Sequence, residues 1–324
     1  MPVFNGERFL SEAINSILAQ TFADFELLVM DDGSTDGSLA IARSYTDPRL
    51  RIISEAHYGL VSTLNRGICE SRGEYIARMD ADDISDPQRF ERQIACLDAQ
   101  HSTVMVGCRA RIINAAGHLI SDYPAPPVEG RGLVLSLYRS NPFVHGSVML
   151  RRKPVASVGG YRTAFLTTED YDLWLRLSEI GWLVNLPLYL YSFRVHQNAK
   201  TAHEGRGLMD RYHARAQRFA LQRRLFGYDS LGHSKINGEQ VGRKVWQGIR
   251  PAASTVSLLD WSHIFLAQGQ VRLAFEICRQ VQAAQKGHVR CALTAFRCYW
   301  SRASIQALLV TMRRIDKVVR ARTP

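Results

Sequence analysis

Three aspartates within four residues, Asp80, Asp82 and Asp83, are the densest concentration of chemistry in this 324-residue chain. Packed carboxylates repel one another, and a cation relieves that repulsion; all-oxygen donors suit hard divalent ions such as Mg²⁺ or Mn²⁺. The apolar run over residues 74–79 reads as a strand that delivers the aspartates to its C-terminal end. That is where open α/β sheets bind ligands. The functional reading is a metal-bridged diphosphate site. The plain reading is a polar loop whose last Asp caps a helix starting near Pro87. A second acidic focus, Glu169-Asp170, opens a helical pattern running to Ile180, with Thr168 as a candidate cap. A third, Asp31-Asp32-Gly33-Ser34-Thr35-Asp36, is a turn and helix start. Ser34, Thr35 and Asp36 are its N-cap candidates.

The elements that must carry these residues alternate. Residues 7–20 place Phe9, Leu10, Ala13, Ile14, Ile17 and Leu18 on one helical face. Strands are expected over 25–30, 51–54 and 74–79, and helices over 60–70 and 88–99. Such alternation predicts an α/β fold with a mostly parallel, twisted sheet flanked by helices. Further on, strands are expected over 104–113, 118–121, 146–150 and 183–195, the last interrupted by Pro187. Helices are expected over 132–139 and 169–180. Beyond residue 205 the signals are helical, over 208–226, 257–268, 271–285 and 289–315.

Composition divides the chain at the same place. Residues 205–324 hold 21 Lys/Arg and 6 Asp/Glu, while residues 1–204 hold 20 and 24, within an overall charge of +11. The expected division is a catalytic domain over 1–204 and a basic helical region over 205–324. The basic region suits an anionic membrane surface or an anionic acceptor. No nucleic-acid-binding motif accompanies the charge, so no nucleic-acid partner is expected. The six cysteines (69, 96, 108, 278, 291, 298) form no C-x-x-C pair, as expected of reduced cytosolic thiols. No signal-peptide pattern and no apolar run of the ~18 residues a span requires is present. A cytoplasmic protein, peripheral on the inner membrane face, is the expectation.

Seven motifs in order resemble family 2 inverting glycosyltransferases. They are Met1-Pro2-Val3-Phe4-Asn5-Gly6-Glu7, Asp31 to Asp36, Asn65-Arg66-Gly67, Gly73 to Ala77, Asp80-Ala81-Asp82-Asp83, Asn141 to Ser147, and Thr168 to Leu177. The resemblance covers roughly residues 1–200. It implies a GT-A, Rossmann-like fold, a nucleotide-sugar donor, a divalent metal and inversion at the anomeric carbon. By resemblance, Pro2, Val3, Phe4, Asn5 and Glu7 wrap the nucleotide, with Phe4 as an aromatic wall or else ordinary core. Asp31 or Asp32 accepts the imide N–H of uracil. Arg66 holds a phosphate or is a solvated helix residue. Asp80, with Ala81, faces the ribose, and Asp82 binds metal through the diphosphate. Asp83 orients its neighbours or caps the next helix. Asp170 matches the family's base, and the helix N-terminus beneath it favours its ionised form. Glu169 is the alternative base or an acceptor ligand, and His145 shapes the acceptor pocket. Arg194-Val195-His196 resembles a late Arg-x-His that closes over the diphosphate or contacts the metal.

The implied activity is transfer of a sugar, from a UDP-sugar, to a glycan or lipid-linked glycan in cell-surface polysaccharide synthesis. Two other readings compete. A nucleotidyltransferase would want a Gly-rich, basic phosphate loop near the start, and none is present. A catalytically impaired nucleotide-sugar-binding scaffold is the other. The family usually carries apolar residues ahead of the Met-Pro-Val motif, so the expectation is either a native start upstream or a sheet that lacks most of its first strand, and a more stable chain when extended upstream.

Overall fold

The computed structural model describes residues 1–124, 126–197, 199, 206–226 and 228–231. They lie in one compact unit, Met1–Thr255. The helices expected over 257–268, 271–285 and 289–315, and cysteines 278, 291 and 298, lie outside the described residues.

The first half builds a parallel sheet. Strands β1 (Pro2–Val3), β2 (Leu27–Asp31) and β3 (Leu50–Ser54) lie side by side. They are linked by helices α1 (Leu10–Leu18) and α2 (Ser38–Arg43), and α3 (Leu60–Glu70) follows. Val3 pairs with Asp31 and Asp31 with Ser54, so the three strands end flush. The segments that leave them, beginning at Phe4, Asp32 and Glu55, therefore emerge along one edge.

The second sheet has the order β4-β8-β6-β9-β5, with β7 added to β6. Its strands are β4 (Tyr75–Ala77), β5 (Ile84–Ser85), β6 (Thr103–Ile113), β7 (Leu119–Asp122), β8 (Met149–Arg151) and β9 (Trp182–Arg194). Only β6 and β9 run parallel here; β4–β8, β6–β8, β5–β9 and β6–β7 are antiparallel. The sheet structure is therefore mixed, where the sequence predicts a mostly parallel one. The alternation that suggests parallel crossovers stops at β4, and a hairpin (β6–β7) takes over. The β6–β9 register jumps from Leu186 to Tyr189 across Pro187, as expected where a residue has no N–H to donate.

Helices α4 (Arg89–Ala99), α5 (Gly130–Arg139), α6 (Arg152–Ser157), α7 (Glu169–Ser178) and α8 (Arg206–Phe226) complete the described chain. One core unites both sheets: Leu10, Ala13, Ile14 and Ile17 of α1 pack in the same cluster as Val29 of β2, Val106 of β6 and Val184 of β9. Each fully buried Ile or Leu of that face contributes ~1.5–3 kcal/mol.

Three local expectations change. The strand expected from Gly146 begins at Met149, because His145–Ser147 forms a 3₁₀ turn. The six-residue α6 shows no period in the sequence, since Pro154 and two basic residues, Arg152 and Lys153, fill half of it. Thr168 does not cap α7 with its side chain; its backbone is left-handed, at φ 61°.

Candidate active site

A cleft of about 1040 Å³ opens at the flush edge of the parallel strands. Segments 2–6 and 57–63, Asp32, Asp80 to Asp82 and His196 line it, and Thr163, Phe165 and Leu166 form the far wall.

Two loops lock together at its entrance. Asn5, at φ 51°, accepts the Thr35 N–H on its side-chain oxygen (2.8 Å), and its own N–H donates to Ser34 Oγ (3.0 Å). The Gly6 N–H donates to Ser38 Oγ (2.8 Å) and the Gly37 N–H to Glu7 Oε2 (2.7 Å). Asp36 caps α2 by accepting the Ser38 N–H (2.9 Å). Gly33, at φ +73°, admits close packing: a Cβ there would lie 2.7 Å from the His57 backbone nitrogen. The neighbouring aspartates divide their work. Asp31 turns inward, accepting from the Ser34 N–H (3.2 Å) and Ser54 Oγ (2.8 Å), and does not line the cleft. Asp32 faces the cleft and accepts the N–H groups of Tyr58 (2.8 Å) and Gly59 (3.0 Å), with His57 Nδ1 2.9 Å away. It thereby shapes the 57–59 loop. Above it, Phe4 stacks on His57 at 4.1 Å between ring centroids and is 48% exposed, so it is a cleft wall rather than core.

At the floor, β4 delivers the aspartates. Asp80 is ion-paired with the buried Arg78. Burial opposes charge on that guanidinium, yet the Asp80 carboxylate beside it holds its pKa above the ordinary value. Asp82 Oδ2 lies 2.8 Å from His196 Nε2. Burial, and then the charge of Asp80, raise the Asp82 pKa despite that imidazole. Asp83 turns away from the cleft and is buried; burial, then the charges of Asp80 and Asp82, push its pKa well up. Asp83 orients its neighbours and does not cap the next helix. Asp86 does that, accepting the Gln88 N–H (2.9 Å).

The second acidic focus lies outside this cleft's lining. Asp170 sits in the first turn of α7, accepting from Asn141 Nδ2 (2.6 Å) and the Tyr171 N–H (2.7 Å). Glu169 is buried, with Oε1 4.0 Å from His145 Nδ1. His145 Nε2 is 2.8 Å from the Tyr161 hydroxyl. Tyr161 links the two foci. Its pKa is driven far up, first by burial; Arg78 opposes this, and the charges of Asp170, Glu169 and Asp80 add to it.

Of the residues singled out in the sequence, Pro2, Val3, Phe4, Asn5, Asp32, Asp80, Ala81, Asp82 and His196 share the cleft. Glu7, Asp31, Arg66, His145, Glu169 and Asp170 do not line it. Arg66 is half exposed between Glu55 (3.4 Å) and Glu70 (2.9 Å), outside the cleft's lining. Arg194 is buried and does not line the cleft. Four further residues, to which the sequence assigns no role, contribute. Arg78 was visible as a charge inside an apolar strand. Tyr161 follows two glycines that take positive φ (82° and 63°). Asn65 clamps the Tyr161 backbone, donating to its carbonyl (2.8 Å) and accepting its N–H (2.8 Å). His57 had no local signal.

Comparison with known proteins gives this arrangement a lineage. Residues 1–159 match the family described as Glycosyl transferase family 2. The EpsE protein of Bacillus subtilis (strain 168) is 35% identical over 210 residues, covering 61% of this chain and 73% of EpsE. The O-antigen biosynthesis glycosyltransferase WbnJ of Escherichia coli is 32% identical over 206 residues, covering 61% of this chain and 79% of WbnJ. S. aureus TarS 1-349 in complex with UDP-GlcNAc superposes with a TM-score of 0.59 at 15% identity, over 92% of this chain and 87% of that one. Mannosyltransferase PcManGT from Pyrobaculum calidifontis, in complex with GDP-Man and Mn²⁺, gives 0.51 at 18% identity, over 97% and 78%. At such identities the structural likeness carries the fold alone, and that fold is GT-A. The shared sequence carries the rest: the chain is a glycosyltransferase and belongs to glycosyl transferase family 2.

Proposed function

We propose that this enzyme moves a sugar from a UDP-sugar to an acceptor hydroxyl, with inversion and with the help of a divalent ion, in the synthesis of a cell-surface polysaccharide. The observation that carries this reading is the Asp82–His196 pair in the cleft, two residues from Asp80 and across from the Phe4–His57 stack.

The donor set fits a divalent ion in part. Asp82 supplies a carboxylate oxygen and His196 an imidazole nitrogen, converging within 2.8 Å of each other. The burial and like charge that raise the Asp82 pKa are relieved by a cation. Among the described residues no group of three or more metal-ligating side chains stands ready. The remaining ligands would then be diphosphate oxygens and water, as is usual for Mg²⁺. When bound, the ion supplies charge neutralisation for the departing nucleoside diphosphate. PcManGT, solved with Mn²⁺, supports this use.

The chain's own residues do the rest. Phe4 and His57 present a stacking surface to the base. Asp32 takes the backbone N–H groups of Tyr58 and Gly59; a carboxylate has about four acceptor directions, which leaves room for the imide N–H of uracil. Asp80, held by Arg78, faces the ribose. Asp170 takes the acceptor's proton as the hydroxyl attacks, its carboxylate held by Asn141 and the Tyr171 N–H. Glu169 and His145 flank it on the acceptor side. TarS, solved with UDP-GlcNAc, supports the choice of donor, and WbnJ supports a polysaccharide or lipid-linked glycan acceptor.

Asp170→Asn is expected to lower transfer by at least about 10³-fold while leaving UDP binding within twofold. Asp82→Ala is expected to abolish Mn²⁺-dependent UDP binding. Calorimetric titration with UDP, with and without Mn²⁺, and a donor-turnover assay check both. Full transfer by Asp170→Asn would remove it as the base.

A further inference from the structure

Strand β9 stops two residues before His196, and a buried network built on Tyr191 fixes where it stops. The Tyr191 hydroxyl, in a side chain only 2% exposed, donates to Asp83 Oδ2 (2.7 Å) and accepts the Asp80 N–H over a longer 3.3 Å. The other oxygen of Asp83 accepts the backbone N–H of Arg194 (2.7 Å). Arg194, 1% exposed, reaches back: its Nε donates to the carbonyl of Asp82 (2.7 Å). Its outer nitrogens meet the carbonyl of Ala115 (3.2 Å) and a carboxylate oxygen of Glu12 (2.5 Å). Its plane lies over the Phe9 ring, 4.7 Å from the centroid. The segment from Asp80 to Asp83 is thus gripped by β9 through four hydrogen bonds, which reach Asp80, Asp82 and Asp83.

None of these three side chains lines the cleft, so substrate contact does not explain them. Burying a carboxylate and a guanidinium is costly unless both are well hydrogen-bonded, and hydrophobic side chains would fill the space more cheaply. What they surround is informative. Asp82 is gripped by its own carbonyl and lies between Asp80 and Asp83, and His196 lies two residues beyond Arg194. We infer that Tyr191, together with Asp83 and Arg194, is a positioning residue that pre-sets the Asp82–His196 pair for a divalent cation; this rests on the metal reading proposed above. Ligands already held in place lose less conformational freedom on binding.

The same hydroxyl also registers the turn that carries His145. A Cβ at Gly146 would fall 1.8 Å from the Tyr191 hydroxyl oxygen. Gly146 has ordinary backbone angles, so Gly146→Ala acts sterically, by displacing Tyr191.

The test is Mn²⁺ binding by the full chain in the presence of UDP, followed by electron paramagnetic resonance, beside melting temperature. Tyr191→Phe is expected to weaken Mn²⁺ binding at least fivefold while leaving metal-free UDP binding within twofold. Leu97→Ala, a buried change remote from the cleft, is expected to lower the melting temperature and keep the Mn²⁺ affinity. Gly146→Ala should weaken Mn²⁺ binding as Tyr191→Phe does, and the double variant should be no weaker than the worse single one. Arg194→Lys, which keeps the charge and loses the fork, carries the same expectation should Tyr191→Phe not fold. If Tyr191→Phe and Arg194→Lys behave like Leu97→Ala, the positioning role is overturned while the metal reading stands. If wild type binds no Mn²⁺ with UDP present, the metal reading falls and this inference falls with it.

Discussion

Phe4 leaves nearly half of its surface in solvent, with its ring on His57 at the cleft wall. An exposed aromatic pair beside a carboxylate suits a flat, hydrogen-bonding ligand better than it suits water. Stacking a base on an aromatic ring is worth about 1–3 kcal/mol. Phe4→Ala is therefore expected to raise the donor KM roughly 5- to 150-fold, with little change in kcat. Arg66→Ala, at a solvated ion pair, is expected to leave both within twofold, since such pairs contribute ~0–1 kcal/mol. Steady-state kinetics on the two variants checks this. Individual residues were legible to different depths. The sequence offered Phe4 as wall or core, and only the fold could decide. It offered Asp31 and Asp32 without distinguishing them, and strand register decided: successive residues point to opposite sides, so one turns to Ser54 and the other to the cleft. Asp82 and His196 are 114 residues apart, and no local pattern announces their contact.

Helices α7 and α8 pack against each other, and a buried ionic cluster joins them to the loop that forms the cleft's far wall. Arg162 of that loop meets Asp229 (2.7 Å) and Asp172 of α7 (3.5 Å). Arg223 of α8 meets Glu179 (2.7 Å) and the same Asp229 oxygen (2.6 Å). Burial pushes the Asp229 pKa up, but hydrogen bonds from Arg223 and Arg162 hold it below the ordinary carboxylate range. A depressed carboxylate contributes stability above its unfolded pKa of ~3.9, and that stability is lost as pH falls through the folded value. Asp229→Asn leaves two guanidiniums buried without their shared anion, so it is expected to cost about 3–5 kcal/mol at pH 7. The deficit should shrink toward pH 3; urea melts at the two pH values measure it. Long amphipathic elements were legible: α3 runs over residues 60–70 as its apolar period predicts. Short ones were not, because a helix of six residues such as α6 is held by tertiary packing rather than by propensity. The longer strands of the mixed second sheet were legible, but not the short β5 or the pairing, which depends on partners far along the chain.

At the scale of the whole chain, charge and catalysis are separated. Residues 205–324 hold a surplus of 15 positive charges and residues 1–204 a deficit of 4. Among the described residues no helix is long and apolar enough to cross a membrane. We propose that the basic part brings the enzyme to an anionic membrane surface on the cytoplasmic face. The full chain is expected to sediment with phosphatidylglycerol-containing vesicles at ~50 mM salt and to be released by ~500 mM, as screening shortens the reach of the charges. Neutral phosphatidylcholine vesicles should retain little of it at either salt. A chain ending at residue 231 should lose most of the low-salt binding; equal binding would place the contact elsewhere. The contact between Gly146 and Tyr191 has a consequence for how such enzymes diversify. Recombination that joins one relative's later half to another's beginning is one route to a new acceptor preference. A crossover between positions 146 and 191 can bring a side-chain-bearing residue under an incoming tyrosine, and the hybrid then jams at its seam. These two positions are expected to be inherited as a pair, so viable breakpoints lie before residue 146 or after residue 191.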